Sequence, residues 1–227
     1  KTDYLNTGDP EGTSWIVGQC DVSIRPGWFY HANEDSLVKS PQQLTDIYYK
    51  SVGRNALLLL NLPPDKRGLI HENDVKALTN FKSIIDQSLE SDLAKGQKAS
   101  ANNYRLNHSK FDPKNTLDGD PTTYWATDDN IFPASLEIEL SEGRTFDRVL
   151  VQEPIKLGQR VSEFEIDVMG DANWNTIFKG TTIGYKRILR IPSVNTKKIR
   201  LRIIKANNTV AISNVELYKS SNREVSQ

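Results

Sequence analysis

The residues best suited to chemistry lie in one short stretch, residues 15–31, which reads WIVGQCDVSIRPGWFYH. Four of its positions are Trp, Phe or Tyr, and the polar residues Gln19, Asp21 and Arg25 stand among them, beside a Pro-Gly break. A plain core strand does not need charged side chains between aromatic ones. A site that binds a polar ligand with one apolar face does, because such sites combine aromatic walls with a few placed polar groups. The stretch therefore predicts a ligand-binding site.

Regular elements follow this stretch and would position it. Ser40 is a good N-cap with a proline after it, which predicts a helix over residues 40–52 that is ended by Gly53 as a C′ residue. Residues 55–62 form a nearly continuous apolar run, as expected of a parallel strand covered on both faces. Residues 72–89 repeat apolar side chains at helical spacing, which predicts a second helix. This part of the chain therefore has an α/β pattern.

The composition argues against several classes of partner. Lys and Arg together number 29, as do Asp and Glu, so the formal net charge is zero and no basic surface indicates nucleic acid. The sequence has no run of about eighteen apolar residues, so we expect no membrane span. The single cysteine, Cys20, excludes an internal disulfide framework.

Beyond residue 101 the pattern changes to short strands. Alternating segments begin at residues 136, 148, 164, 174, 187, 198 and 215. This spacing predicts an antiparallel β-sandwich. Residues 95–101, which read KGQKASA, are small, polar and unpatterned, and we expect them to form the linker. The basic run at residues 197–202 is expected to be a solvated face of the sandwich.

One loop of this second part carries residue types that bind calcium. Asp118, Asp120 and Thr123 fall within the sequence DGDPTT, and calcium prefers clustered carboxylate, carbonyl and hydroxyl oxygens. The same segment also fits an Asp-Gly turn whose side chains cap their own backbone without a metal. Both readings stay open at this point. Any calcium here would be structural.

Three blocks of the first part resemble a known enzyme family. SIRPGWFYH, YYKSVGRN and LLLNLPPDKRGLIHENDV follow one another between residues 23 and 75. They resemble the closing part of the catalytic domain of family 29 α-L-fucosidases, in particular the branch that cleaves α-1,3- and α-1,4-linked fucose from Lewis-type structures. The resemblance implies a (β/α)8-type barrel, with residues 1–94 as its C-terminal part and a strand over residues 15–22. Because such a barrel needs roughly 250 residues, we expect the chain to be a fragment or one piece of a nicked enzyme.

The resemblance also implies roles for the residues of the aromatic stretch. Gln19 stands where relatives carry the Glu that is the general acid/base, and the nucleophilic Asp would lie upstream of this chain. Trp28 matches the aromatic side chain that packs on the apolar face of fucose. Asp21 and Arg25 complete the implied substrate-binding set, although Arg25 suits a structural ion pair equally well. Asn61 is a weaker candidate, because it ends a strand where barrel enzymes place functional loops.

Glutamine at position 19 has a chemical consequence. A primary amide hydrogen-bonds to a glycosidic oxygen but has no proton of useful acidity to donate. Two explanations stay open: the Glu was replaced deliberately to trap a substrate complex, or this homologue uses another acid such as Asp21. In both cases we expect slow hydrolysis of natural oligosaccharides. Aryl fucosides should keep more activity, because their leaving groups need little protonation.

The second part resembles discoidin-like, coagulation-factor type C modules, whose fold is shared by family 32 carbohydrate-binding modules. The segments that carry the resemblance are NTLDGDPTTYWAT, IGYKRILRI and NVELY. They imply a galactose-binding-like jelly roll over residues 102–219, with residues 220–227 as a tail. Related modules place a Glu near the last strand in a calcium site, which adds Glu216 to the candidate ligands. Tyr124 and Trp125 are expected to be core residues.

The predicted fold class is therefore α/β plus all-β, with the C-terminal part of a (β/α)8-type barrel followed by an antiparallel β-sandwich. The resemblance implies a retaining exo-α-L-fucosidase that needs no cofactor for catalysis and acts on fucosylated oligosaccharides in the periplasm or outside the cell. Its expected protein partner is the N-terminal remainder of the catalytic domain. The alternative is a lectin-like protein that binds fucosylated glycans without cleaving them.

Overall fold

The computed structural model describes residues 7–224, which form two compact units. The helical unit contains residues 17–90 and 220–224, and the sandwich unit contains residues 7–16 and 91–219. The boundaries of these units differ from the predicted domain limits at both ends of the described chain. Residues 7–16 belong to the sandwich unit, and residues 220–224 belong to the helical unit. Residues 1–6 and 225–227 of the predicted segments lie outside the described residues.

The helical unit alternates strands and helices. Its elements are β1 (Gly18–Ser23), α1 (Pro41–Ser51), β2 (Ala56–Asn61) and α2 (Glu72–Ser88). The two strands pair in parallel, with Gly18 opposite Ala56 and Ser23 opposite Asn61. Parallel neighbours joined through a helix form the βαβ unit that repeats around a (β/α)8 barrel. The predicted fold class is confirmed for this unit.

Helix α1 begins at the predicted position, where Ser40 and Gln43 cap its first turn. The Ser40 hydroxyl accepts a hydrogen bond from the Gln43 amide nitrogen, and the Gln43 side chain accepts one from the Ser40 nitrogen at 2.8 Å. This reciprocal capping box satisfies two donors that a helix leaves unpaired at its first turn. The helix therefore begins where the serine and the proline after it indicate.

Gly53 follows α1, but not in the left-handed conformation of a C′ glycine. Left-handed backbone in this connection occurs at Asn55, with φ of 70°. Glycine is needed at position 53 because a Cβ atom there would lie 2.5 Å from the carbonyl oxygen of Tyr49. The predicted end of the helix is close to the observed one, whereas the reason for the glycine is close packing rather than backbone freedom.

The predicted C-terminal tail packs against the helices of its unit. Residues Asn222–Glu224 form a short 3-10 helix. The Arg223 carbonyl accepts a hydrogen bond from the Gln42 side chain at 3.1 Å, and the Tyr49 hydroxyl lies 2.8 Å from a Glu224 carboxylate oxygen. The segment is thus an ordered part of the helical unit.

The sandwich unit consists of antiparallel strands. They are β3 (Lys98–Ala101), β4 (Trp125–Ala126), β5 (Ala134–Gln152), β6 (Val161–Met169), β7 (Trp174–Gly180), β8 (Arg187–Ala206), β9 (Ala211–Ile212) and β10 (Asn214–Tyr218). The larger sheet has the order β10-β5-β8-β6-β7, with β3 also paired to β5, and β4 pairs with β9 in a small second sheet. The predicted antiparallel β-sandwich is confirmed.

Two details of the predicted strands are wrong. The segments expected at 136 and 148 are one strand, β5, and those at 187 and 198 are one strand, β8, because register shifts let a long strand bend without breaking its pairing. The predicted linker over residues 95–101 ends in β3, whose residues pair with β5 from Leu136 to Glu139. Small polar residues are therefore an edge strand here.

The basic run at residues 197–202 is not a plain solvated face. Arg200 and Arg202 both donate from Nε to a carboxylate oxygen of Asp167, at 2.9 and 2.6 Å, and Asp167 is 1% exposed. Burial of Asp167 opposes its ionisation, but hydrogen bonds from Arg202, Thr176 and Arg200 outweigh burial and lower its pKa. These arginines hold a buried carboxylate on the sheet.

The sandwich core gathers apolar side chains from both sheets. Trp125 is fully buried within it, and its indole nitrogen donates to the carbonyl oxygen of Asn103 at 2.9 Å. The sequence-based expectation that Trp125 is a core residue is therefore correct, while Tyr124 is only partly buried. In the part of the chain that the structure describes, no helix is both long and apolar enough to cross a bilayer.

Candidate functional site

The predicted acid/base position lies on the strand face that points away from the helices. Strand side chains alternate, and Leu60 of β2 packs into the core with α1 and α2. Gln19 and Asp21 are both exposed and are register partners of Leu57 and Leu59, so these four share the opposite face. In a (β/α)8 barrel that face points to the barrel interior. The structure thus places Gln19 and Asp21 side by side on one surface.

Trp28 lies in the turn that leaves the carboxyl end of β1. Its side chain is 51% exposed, and its carbonyl oxygen accepts a hydrogen bond from the Asn61 side-chain nitrogen at 3.0 Å. Asn61 is the last residue of β2, directly opposite Ser23 at the end of β1. Barrel enzymes build their sites at this end of the strands. The structure therefore anchors the backbone of Trp28 at the end where the sequence predicts a site.

The prediction that Arg25 binds substrate required an accessible guanidinium group, and this group is buried. It is fully buried, its Nε lies 2.9 Å from a carboxylate oxygen of Asp74, and its NH1 lies 3.0 Å from one of Asp35. Burial works against the charge, but hydrogen bonds to Asp74 and Asp35 outweigh it and raise the pKa of the guanidinium. Arg25 joins the β1 turn to the first turn of α2, so the structural ion pair is the correct reading.

Asp35 connects this ion pair to two further side chains. Its second carboxylate oxygen accepts a hydrogen bond from the Tyr30 hydroxyl at 3.3 Å and lies 3.4 Å from Nε2 of His71. The Arg25 guanidinium carbon also lies 4.7 Å from the centre of the Tyr30 ring, within cation–π distance. Burial and the neighbouring Asp35 raise the pKa of Tyr30. The loop after β1 is thus held by a polar network.

In the candidate calcium loop, three oxygen acceptors surround a single hydroxyl group. Oγ1 of Thr123 lies 2.8 Å from an Asp118 carboxylate oxygen, 3.1 Å from the Asp120 carbonyl oxygen and 3.3 Å from the Asn115 carbonyl oxygen. One hydroxyl has a single hydrogen to share among these three acceptors. Such a convergence of oxygens is the donor set that calcium prefers. Among residues 7–224, however, no three His, Cys, Asp or Glu side chains converge as a metal-binding group.

The same loop also caps itself. Asp118 accepts a hydrogen bond from the Asp120 nitrogen at 2.8 Å, and Asp120 accepts one from the Thr122 nitrogen at 2.8 Å. Glu216 lies in β10, where its carboxylate accepts hydrogen bonds from the Asn214 side chain and the Tyr218 hydroxyl. The loop therefore has the geometry of an Asp-Gly turn around an oxygen cluster, and calcium binding stays a prediction.

Comparisons with known proteins agree with both halves of the chain. The family model described as alpha-L-fucosidase matches residues 3–87, and the model described as F5/8 type C domain matches residues 97–217. The chain therefore belongs to the F5/8 type C family through residues 97–217, and residues 3–87 are similar to the C-terminal region of the alpha-L-fucosidase family. The region matched by the alpha-L-fucosidase model contains Gln19, Asp21 and Trp28, whereas the candidate calcium loop lies in the F5/8 type C region.

Relatives of this chain are known in plants and bacteria. Alpha-L-fucosidase 1 of Arabidopsis thaliana is 39% identical over 95% of this chain and 43% of its own length. A putative α-L-fucosidase from Bacteroides thetaiotaomicron is 41% identical, with a TM-score of 0.89 over 97% of this chain and 48% of its own. A Ruminococcus gnavus GH29 fucosidase in complex with fucose is 30% identical, with a TM-score of 0.88 over 96% and 44%. The chain spans less than half the length of each.

Sequence reasoning missed the residues that hold the candidate site together. Asp35 and Asp74 are 10 and 49 positions from Arg25, and neither stands in a pattern that marks an ion pair. Asn61 was considered for its place at a strand end, but its bond to Trp28 joins residues 33 positions apart. The one usable signal was an arginine inside an aromatic stretch, which indicates a buried partner as well as a ligand.

Proposed function

We propose that this chain supplies the acid/base position and part of the fucose pocket of a retaining exo-α-L-fucosidase. Its substrates would be α-1,3- and α-1,4-linked fucose in Lewis-type oligosaccharides, met in the periplasm or outside the cell. One observation carries the proposal: Gln19 and Asp21 share the strand face opposite the one that packs on α1 and α2, beside the turn that presents Trp28. A carboxyl group at position 19 would project from that face.

The proposed reaction needs two carboxyl groups on opposite sides of the anomeric carbon. In a retaining glycosidase, a carboxylate attacks that carbon while a carboxylic acid about 5–5.5 Å away protonates the departing oxygen. Water then breaks the glycosyl-enzyme bond, with the second group acting as base. We assign the second position to Gln19 and the nucleophile to an Asp outside this chain. The amide of Gln19 accepts and donates hydrogen bonds but cannot perform either proton transfer.

The remaining part of the pocket would combine an apolar wall with polar contacts. L-fucose carries a methyl group, and aromatic side chains bind the apolar faces of ligands that also need polar contacts. Trp28 is half exposed on a turn with an anchored backbone, which suits it to this role. Asp21 would contact sugar hydroxyls. Arg25 acts behind this surface, since its guanidinium is buried and paired.

The protein partner we propose is the N-terminal remainder of the catalytic domain. Leu57 and Leu59, on the same face as Gln19, are 58% and 49% exposed. Leucines at such positions fill the interior of a (β/α)8 barrel. The lengths of the relatives leave room for the other strands of such a barrel. These strands would cover both leucines and supply the nucleophile.

Substitution of Gln19 by Glu in the full-length protein tests the proposal. We expect kcat/KM for a Lewis-type trisaccharide to rise by about two to four orders of magnitude, which is the usual contribution of general acid–base catalysis. An aryl fucoside with a good leaving group should change much less in its first step. If both substrates respond equally, or neither does, position 19 is not the acid/base.

Two controls separate the alternatives. Asp21→Asn should abolish the residual hydrolysis if Asp21 is the acid in this homologue, and should mainly raise KM if it only binds hydroxyls. A lectin-like function is favoured by the amide at position 19, which cannot protonate a leaving group. A lectin would bind fucosylated glycans as this chain stands and would gain no hydrolysis from Gln19→Glu.

A further inference from the structure

We propose that Ser23, Lys39 and Asn61 are positioning residues that hold the turn bearing Trp28 in one conformation. We name these three residues the carbonyl clamp, because they act on carbonyl oxygens of residues 23–28. The meaning of this device for sugar binding rests on the proposed function. Its geometry does not, since every contact lies within the helical unit.

Lys39 forms the first arm of the carbonyl clamp. Its ammonium nitrogen lies 2.7 Å from the Ser23 carbonyl oxygen and 3.3 Å from that of Arg25. Its backbone nitrogen donates to the carbonyl oxygen of Ile24 at 2.9 Å. One residue therefore binds three successive carbonyl groups where the chain leaves β1. Hydrogen bonds from a charged donor are stronger than those from a neutral one.

Asn61 and Ser23 form the second arm. The Asn61 side-chain nitrogen donates to the Trp28 carbonyl oxygen at 3.0 Å and to the Ser23 hydroxyl at 3.1 Å, which uses both hydrogens of the amide. The Ser23 hydroxyl in turn donates to the Gly27 carbonyl oxygen at 2.7 Å. The bonds form a chain in which each polarises the next. Ser23 is 7% exposed, so water competes little for its hydroxyl.

The two arms together explain how a turn without regular secondary structure can keep the exposed side chain of Trp28 in a fixed position. Residues 24–28 belong to no helix or strand, yet the carbonyl clamp binds five carbonyl oxygens of residues 23–28. Trp28 nevertheless keeps 51% of its surface exposed. A rigid backbone under an exposed aromatic side chain lowers the conformational entropy lost when a ligand binds. Such support around a binding residue is what keeps a site in its productive geometry.

The test combines a fluorine NMR signal from Trp28 with steady-state kinetics. The full-length protein is labelled with 5-fluorotryptophan, and Trp28→Phe identifies the Trp28 resonance. Asn61→Asp keeps the shape of the side chain but removes both donors, and Lys39→Met removes the ammonium group. Ser23→Thr keeps the hydroxyl and serves as the conservative variant of Ser23→Ala. Asn73→Asp is the matched control, because its amide donates to the Asp35 carbonyl at 2.8 Å and not to the turn.

We expect the Trp28 resonance to broaden or split in Asn61→Asp, Lys39→Met and Ser23→Ala while the other tryptophan signals stay in place. Ser23→Thr and Asn73→Asp should resemble the parent. With an aryl fucoside, KM should rise about tenfold in Asn61→Asp, the factor expected for losing one or two neutral hydrogen bonds. Its kcat should change little, since Trp28 contacts the sugar in both ground and transition states.

The two readouts distinguish failure of the carbonyl clamp from failure of the proposed function. An unchanged Trp28 resonance in both Asn61→Asp and Lys39→Met overturns the carbonyl clamp whatever the protein binds. If fucose fails to shift the Trp28 resonance of the parent, the proposed function of Trp28 is wrong. A broadened resonance in Asn61→Asp still supports the carbonyl clamp in that case.

Discussion

Glu153 makes the stability of the sandwich unit depend on pH. The carboxylate is 2% exposed and accepts hydrogen bonds from the backbone nitrogens of Arg160 at 2.7 Å, Val161 at 3.0 Å and Gly184 at 2.6 Å. Burial disfavours the charged form and outweighs these three donors, so it raises the pKa of Glu153 to about 7. The carboxyl group therefore binds a proton more tightly in the folded state than in the unfolded chain.

The sign and size of the effect follow from proton linkage. A raised carboxyl pKa stabilises the fold most at pH values below the ordinary pKa of 4.5, and this contribution is lost as pH rises through about 7. One proton corresponds to about 1.4 kcal/mol per pH unit, so the loss across this window is roughly 3 kcal/mol. For a unit of this size, the unfolding temperature should fall by on the order of 10 °C.

The assay is denaturant unfolding of this chain and of Glu153→Gln between pH 4.5 and 8. The variant should lose the pH dependence that the parent shows, because its amide does not titrate. It should also be less stable at low pH, since one amide N–H would face the N–H of Gly184 and leave a buried donor unpaired. Glu163→Gln is the matched control, because Glu163 is 43% exposed and paired with Lys205 on the surface.

Parallel stability curves for the parent and Glu153→Gln would refute this reasoning. They would mean that the three backbone donors and the charge of Arg160 keep Glu153 ionised in spite of its burial. The control excludes a general effect of removing one carboxylate, since Glu163→Gln should follow the parent curve throughout.

Two further predictions concern the ion pair and the calcium loop. Arg25→Met should destabilise the helical unit by about 3–5 kcal/mol, because the buried carboxylate of Asp74 would lose its cation. An added Asp74→Asn should recover part of this free energy of unfolding. A stable single variant would contradict the role given to Arg25. Millimolar calcium should raise the unfolding temperature of the sandwich unit, and a chelator should reverse the rise; at a hundred times Kd the free energy of unfolding would increase by about 2.7 kcal/mol. Asp118→Asn should abolish this response, and an unchanged parent would leave the loop as a self-capped turn.

Local patterns predicted the regular elements because their causes are local. Ser40 and Gln43 are three residues apart, so the capping box that begins α1 can be recognised without a partner from elsewhere. The alternation of the β-sandwich strands likewise depends on the two faces of each strand alone. The ends of strands, and the merging of two segments into one strand, were less predictable. The pairing partner decides whether residues 98–101 form an edge strand and whether the segments at 136 and 148 form the single strand β5.

The candidate site shows the same division. Gln19, Asp21 and Trp28 could be selected from the sequence because their types and order resemble a family motif, and the parallel strands then place Gln19 and Asp21 on one face. The role of Arg25 could not be decided in that way. A guanidinium serves a ligand or a buried carboxylate equally well, and only the position of Asp74 shows which one it binds.

The sequence by itself thus determined the two fold types and the order of their elements, and it selected Gln19 for the proposed acid/base position. Only the tertiary structure decided which polar groups are buried and which partners they have. Lys39 and Asn61 reach the Trp28 turn from segments 22 positions apart in the chain, and Glu153 meets Gly184 across 31 positions. Hydrogen bonds and desolvation depend on distances in space, which the folded chain sets and no sequence interval records.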